Sequence, residues 1–251
     1  ILGEIALNSA QVTMLSDWVN GGGNLIAMRP DKQLAGLLGL NDALTTLSQG
    51  YLLVDTTTPP GQGIVGQTIQ FHGTADRYTR ASGTTAVATL YTTATASTTN
   101  PAVTLRTVGA GKAAAFTYDL ARSIVYTRQG NPAWAGQKRD GQAGPIRSDD
   151  LFYPDWVNLA KVAIPQADEQ QRLLANLILN MNRDRKPLPR FWYFPRGEKA
   201  VVIMTSDNHG SQNVEARFEA EDAASTPGCS VGDWECIRSS VYLYTSALPG
   251  D

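Results

Sequence analysis

Cysteine and histidine are both scarce in this 251-residue chain, with two of each. Two cysteines cannot build a four-ligand structural zinc site, and no histidine lies near them to complete one. Charge of one sign is also missing. The formal net charge is −2 and no basic cluster occurs, which argues against nucleic acid as a partner. No apolar run approaches the roughly 18 residues of a membrane span, and no signal-peptide pattern opens the chain. The first residue is Ile1 and the last segment is "ALPGD", so the chain is expected to be a fragment of a longer protein.

What is present is an ordinary globular composition, 42% hydrophobic and 18% charged, enough for a sizeable core. The cysteines, Cys229 and Cys236, stand close together in "CSVGDWEC". Spacing alone leaves two readings open: a disulfide, implying an oxidising compartment and export, or a pair of reduced thiols in a cytosolic protein.

"NSAQVTMLSDWVNGGG" predicts an amphipathic helix, with an Asn8/Gln11 capping box and apolar Val12, Leu15, Trp18 and Val19. It stops at Gly21. "NLIAMRP" reads as a buried strand closed by Pro30, and Asp31 caps a short helix that ends near Gly39. Helix, glycine turn, apolar strand and helix predict a layered α/β domain with a parallel sheet. From Thr56 to Thr107 the texture turns to Thr, Gly and β-branched residues, with strands at "QTIQFHG", "TAVATLYTT" and "AVTLRTV". "GAGK" lacks the spacing of a phosphate loop and reads as a hairpin turn. A polar loop, Arg128 to Tyr153, precedes "ADEQQRLLANLILNMNR". In that predicted helix Leu173, Leu174, Leu177, Ile178 and Met181 share one face, and Asp168 and Glu169 favour its positive N-terminal end. The proline-rich "DRKPLPRFWYFPRGEK" marks a boundary, which gives a first domain over 1–183, a linker over 184–198 and a second domain over 199–251.

Four features carry candidate chemistry. "GCSVG" matches a nucleophile elbow by letter, but no apolar strand precedes it and no histidine follows, so it is read as chance. His72, at a strand end, is read as a hydrogen-bonded structural residue. Trp134 is the candidate substrate-binding residue, its apolar face suited to a sugar ring; the competing reading is that it pins the long loop. "KAVVIMTSDNHG" sets Asp207, Asn208 and His209 just past the end of an apolar strand, where α/β folds place ligand sites. Asp-Asn-His-Gly is also good turn chemistry.

"KAVVIMTSDNHG" resembles the opening strand of the polysaccharide deacetylase family, carbohydrate esterases whose first barrel strand ends in Thr-x-Asp-Asp-Gly. The resemblance implies a β/α barrel with Asp207 as catalytic base and Asn208 at a metal-binding aspartate position; His209 is an insertion relative to the family's pattern and is read as a metal or substrate contact. The implied cofactor is a divalent metal, zinc or similar, and the implied partner an extracellular glycan. Asn208 departs from the pattern, since an uncharged amide oxygen is a weaker ligand than a carboxylate, and the family's later histidine pair is absent from this chain. Weak metal binding and no turnover are therefore expected of the fragment itself. For the full-length protein the expectation is metal-dependent hydrolysis of acetyl groups on an extracellular polysaccharide, with a non-catalytic carbohydrate-binding or scaffolding role as the alternative. The segment "TPGCSVGDWECIRSSVYLY" would follow the first barrel strand as an exported insertion, which favours the Cys229–Cys236 bridge and a secreted or periplasmic location.

Upstream, "LSDWVNGGGNLIAMRPD", "GKAAAFTYDLARSIVYTRQGNPAW" and "PQADEQQRLLANLI" resemble class I glutamine amidotransferase-like domains. That implies a Rossmann-like, flavodoxin-like layered domain with a β-rich segment. The chemistry would be absent, because no cysteine precedes Cys229. The fold expected is thus α/β throughout, ending in the truncated start of a deacetylase-like barrel.

Overall fold

The computed structural model describes residues 1–185, 205–208, 214–233 and 235–243, with 205–208, 214 and 241–243 described by their backbone alone. The chain divides into two compact units, 1–188 and 189–251. The expected linker falls almost wholly outside the described residues.

The first unit opens with helix α1 (Ser9–Asn20), and both halves of the predicted capping box form. The Asn8 side chain accepts from the Gln11 N–H at 2.9 Å, and the Gln11 side chain accepts from the Asn8 N–H at 3.0 Å. Val19 is buried, whereas Trp18 is 52% exposed. The Trp18 ring lies over Gly23, where an added Cβ would meet it at 2.3 Å. Strand β1 (Asn24–Met28) follows, and then a 3-10 turn over Lys32–Leu34 that Asp31 caps. Seven further strands and two α-helices complete the unit among the described residues: β2 (Leu40–Ser48), β3 (Tyr51–Val54), β4 (Ile69–Gln70), β5 (Thr74–Arg80), β6 (Thr85–Tyr91), β7 (Ser97–Val108), β8 (Gly111–Phe116), α2 (Leu120–Gln129) and α3 (Gln166–Asn182).

One six-stranded sheet runs in the order β1-β8-β7-β6-β3-β4. Only β1 and β8 pair in parallel, from Asn24 opposite Lys112 to Met28 opposite Phe116. The other four pairings are antiparallel. The described sheet is therefore mixed, which corrects the expected parallel sheet of a Rossmann-like domain. The cause is local: the turn at Gly109–Ala110 is too short for a crossover, so β7 and β8 can only be antiparallel. Gly109 sits at φ +55, with Asn20 O 2.6 Å from where a Cβ would be, so only glycine turns the chain there. The Thr-rich segment supplies strands where the sequence implies them, and β4, β6 and β7 join this same sheet. β2 and β5 form a second, two-stranded antiparallel sheet.

The β1–β8 region is covered on both faces, which explains its continuous apolar character. Ile26, Met28, Ala114 and Phe116 face one core cluster with Leu173, Leu177 and Met181 of α3. Their neighbours Leu25, Ala27, Ala113 and Ala115 face another with Val19, Leu34, Leu38 and Tyr78. The predicted α3 stripe is thus the buried one, with Leu174 and Ile178 at its partly buried margin. The polar side chains of α3 close the edge of the sheet. Gln166 Oε1 accepts from the Gln70 N–H at 2.6 Å and Gln170 Nε2 donates to the Gln70 carbonyl at 3.1 Å, so β4 is not left with unpaired backbone.

In the second unit, β9 (Thr205–Asn208), α4 (Val214–Ala223) and β10 (Ser240–Leu243) are described, and the two strands pair in parallel, Thr205 opposite Ser240 and Asn208 opposite Leu243. This is a single βαβ unit; the described residues do not extend to a barrel.

Candidate functional site

The second unit places Asp207 and Asn208 as the last two residues of β9, opposite Tyr242 and Leu243 of β10. Parallel strands need a crossover, here through α4, and ligand groups in such units gather at the carboxyl ends of the strands. Asp207 and Asn208 occupy that end by backbone position. His209 lies outside the described residues.

Cys229 and Cys236 are bridged, with S–S 2.07 Å and Cα–Cα 5.3 Å. The bridged loop is closed further by its own polar groups: Ser230 O accepts from the Glu235 N–H at 3.0 Å and a Glu235 carboxylate oxygen accepts from the Ser230 N–H at 3.0 Å. It belongs to the connection from α4 into β10, so it leads into the amino end of the strand pair rather than out of its carboxyl end. "GCSVG" therefore sits in a disulfide loop with no strand before it.

Trp134 ends a 3-10 turn over Pro132–Trp134. The Arg139 guanidinium lies 3.9 Å from its ring centroid, and Trp156 meets it nearly edge-on at 5.7 Å. Trp156 in turn donates Nε1–H to the Tyr126 carbonyl at 2.9 Å and stacks on His72. These contacts are those of the loop-pinning reading. The loop has a second anchor in Asp150, fully buried, whose carboxylate accepts from the backbone N–H groups of Arg139, Asp140 and Arg147 and from Lys138. Those backbone donors hold its carboxyl well below the usual range. Asp140 and Asp149 lie beside it. His72 is buried, donates its backbone N–H to Ser123 Oγ at 3.1 Å, and shares Nδ1 with Gln49 Oε1 at 3.0 Å.

A site that the sequence did not single out lies in the first unit. Leu2 bridges to Ala27 in parallel, so Leu2, β1 and β8 form three parallel tracks. Just past their carboxyl ends come Glu4, Arg29 and Asp119. Arg29 adopts φ +41, a left-handed conformation uncommon outside glycine and found at strained functional positions. Its guanidinium donates to Glu4 at 2.8 Å and to both Asp76 oxygens at 3.3 and 3.4 Å. Asp76 arrives from β5, whose backbone crosses these ends through Asp76 N–H to Thr117 O. Around them opens a cleft of about 610 Å³, lined also by Asp31 and Lys32. The available signal was the one applied to "TSDNHG": a polar residue directly after an apolar strand.

No protein-family model and no curated protein matches the chain. Among solved structures it is similar to a cytoplasmic protein, STM3548, from Salmonella typhimurium, at 14% identity and TM-score 0.37 over 46% of this chain and 52% of that one. It is similar to the exo-β-1,4-mannosidase Op5Man5 from Opitutaceae bacterium strain TAV5, at 18% identity and TM-score 0.37 over 49% and 21%. It is also similar to the carbohydrate deacetylase Agd3, at 17% identity and TM-score 0.35 over 47% and 19%. The matches thus span about half, or much less, of those chains, and TM-scores below 0.5 do not establish a shared fold.

Proposed function

We propose that the full-length protein is exported and hydrolyses acetyl groups on an extracellular polysaccharide, with Asp207 as general base. The observation that carries this reading is the position of Asp207 and Asn208 at the carboxyl end of the first strand of a parallel βαβ unit, joined to the Thr-x-Asp pattern of that strand. Deacetylation needs a base to take a proton from the attacking water as oxygen adds to the acetyl carbon. Acetate then leaves, and the sugar nitrogen or oxygen recovers a proton. A carboxylate at Asp207 suits the first of these steps. Export is supported by the disulfide; no helix among the described residues is long and apolar enough to cross a membrane.

The donors this stretch contributes do not by themselves fit a catalytic divalent metal. One carboxylate, one neutral amide and one imidazole in a row, Asp207, Asn208 and His209, fall short of the three strong protein ligands a catalytic zinc takes. Asn208 favours a second reading, a carbohydrate-binding protein with a degenerate deacetylase strand.

Acetate release from acetylated chitin fragments and acetylxylan by the full-length protein separates the two. Turnover that falls roughly a hundredfold or more in Asp207→Asn supports the hydrolase. Zinc calorimetry supplies the second measurement: Asn208→Asp is expected to tighten zinc binding. Glycan binding without acetate release, and with no zinc uptake even in Asn208→Asp, would leave the binding protein.

A further inference from the structure

The loop between α2 and α3 runs from Gly130 to Pro165. Its internal brace is Asp150, whose partners Lys138, Arg139, Asp140 and Arg147 all belong to the loop itself. That brace shapes the loop without fastening it to the rest of the unit. The fastening lies at Trp156, which is buried. Its Nε1–H donates to the Tyr126 carbonyl near the end of α2, and its face lies on the His72 imidazole with centroids 4.2 Å apart. Two residues on, the Asn158 N–H donates to Gln70 Oε1 and its side-chain amide donates to the Tyr51 hydroxyl. Lys161 reaches Gln67 Oε1 at 3.4 Å. Of these attachments, the imidazole is the one group that gains a proton in mild acid.

A neutral His72 suits this seat and a charged one does not. The ring is 3% exposed. Nδ1 is taken by Gln49, and Nε2 has no hydrogen-bond partner among the described residues. The second N–H of an imidazolium would therefore find no acceptor there. The surrounding elements offer no compensating acid. Gln49 comes from the β2–β3 turn and Ser123 from α2, both neutral. Arg122 of α2 lies against Gly73 and pairs with Asp119 and Glu4. From α3, Gln166 and Gln170 are neutral, and Glu169 is held by Arg172 and the Val65 N–H. In the loop, Asp155 precedes Trp156 and is exposed. An imidazolium gains a cation–π attraction over an indole, yet burial alone holds the His72 titration down at about 4. The lost water outweighs the attraction.

We propose that this loop is a strap released by acid, with the stack of His72 on Trp156 as its latch. On taking a proton the imidazole leaves the indole for water, and Trp156 loses the flat surface it rests on. The cleft between α2 and the loop, about 540 Å³ and lined by Val125, Tyr126, Pro132, Leu151 and Phe152, then loses the wall that the loop supplies. Asp207 has no part in this device, which stands apart from the deacetylase reading.

Hydrogen exchange of the full chain, read by mass spectrometry and corrected for the intrinsic effect of pH, tests this without denaturant. Between pH 7 and pH 5 the amides of 131–157 are expected to lose protection roughly tenfold or more, while those of β1 and β8 keep theirs. His72→Gln and His72→Phe both remove the titration, and the second keeps a ring to stack on the indole. In whichever of them folds, protection of the loop should be equal at the two pH values. Unchanged loop protection in the unmodified protein would overturn the proposal. So would an equal loss in β1 and β8, which would make the change global, or a loop that still loosens in acid in either variant.

Discussion

The imidazole of His72 lies flat against the indole of Trp156, with ring centroids 4.2 Å apart and planes within 7° of parallel. The stack joins the end of the β4 segment to the long loop, and it takes His72 out of water. Burial lowers the His72 pKa from 6.5 to about 4. In the unfolded chain the same ring titrates near 6.5, so between those values the unfolded state holds more protons than the folded one. Stability is therefore complete above pH 6.5 and declines as pH falls toward 4, by up to about 3 kcal/mol from this group. Urea unfolding followed by tryptophan fluorescence should show that loss, and His72→Gln should flatten the profile between pH 6.5 and 4.5 while leaving the acid limb of the carboxylates. An unchanged slope in the variant would mean that His72 is not the titrating group.

Gln170 is the hub of the buried polar contacts under α3. Its Oε1 accepts from Tyr118 Oη at 3.1 Å and from Ser123 Oγ at 2.9 Å, and its Nε2 donates to the carbonyls of Gln70 and Gln166. Gln170→Leu would strand two hydroxyls and a strand-edge carbonyl in a site that water does not reach. A loss of roughly 2–4 kcal/mol is expected in urea unfolding. Gln170→Glu should restore the acceptor half alone and recover only part of the loss.

How much of this was legible follows from where each signal resides. The α1 capping box, the α3 apolar face and the glycine turn before β8 are written in neighbouring residues, and the structure places them as the sequence implies. β2, "LNDALTTLS", has no alternation because most of it is exposed, and β5 carries Ala75 and Tyr78 as its only apolar residues. Neither announces a strand. α2 was signalled only by Asp119, whose carboxylate accepts from the Arg122 N–H. The mixed sheet could not be read at all, since which strands become neighbours is a long-range choice. For the same reason His72 had no visible partner: Gln49 and Trp156 stand 23 and 84 residues away. The Arg29 cleft required Asp76 to arrive from another sheet. The local pattern set Asp207 and Asn208 just past an apolar strand, whereas they are the last two residues of β9 itself, and the apolar run before Thr205 lies outside the described residues.

The loop between α2 and α3 depends on one carboxylate. Asp150 gathers three backbone N–H groups and Lys138, while Arg139 and Trp134 close the other side. Asp150→Ala should release the turn, because the backbone N–H groups of Arg139, Asp140 and Arg147 converge on this one carboxylate, whereas Lys138 keeps Asp140 at 2.6 Å. The expected outcome is faster tryptic cleavage after Lys138 and Arg139, with the far-UV spectrum of the helices and sheet unchanged. Equal cleavage rates in variant and parent would show that the aromatic contacts suffice.

The disulfide offers a way to separate stability from chemistry in the second unit. The bridge closes a short loop, for which the chain-entropy account gives about 2–3 kcal/mol. It lies on the connection from α4 into β10, and therefore at the amino end of the strand pair, whereas Asp207 and Asn208 stand at the carboxyl end. In βα architectures the first end serves stability and the second serves function. Replacing both cysteines with serine should accordingly lower the unfolding midpoint of the second unit and leave Asp207-dependent acetate release by the full-length protein within about twofold, measured well below that midpoint. Thiol titration of the unmodified chain, denatured without reductant, should find no free thiol. If instead the serine pair abolished acetate release at a temperature where the unit is still folded, the loop would have to reach the carboxyl end of the strands, and the division of labour between the two ends of the βαβ unit would be wrong.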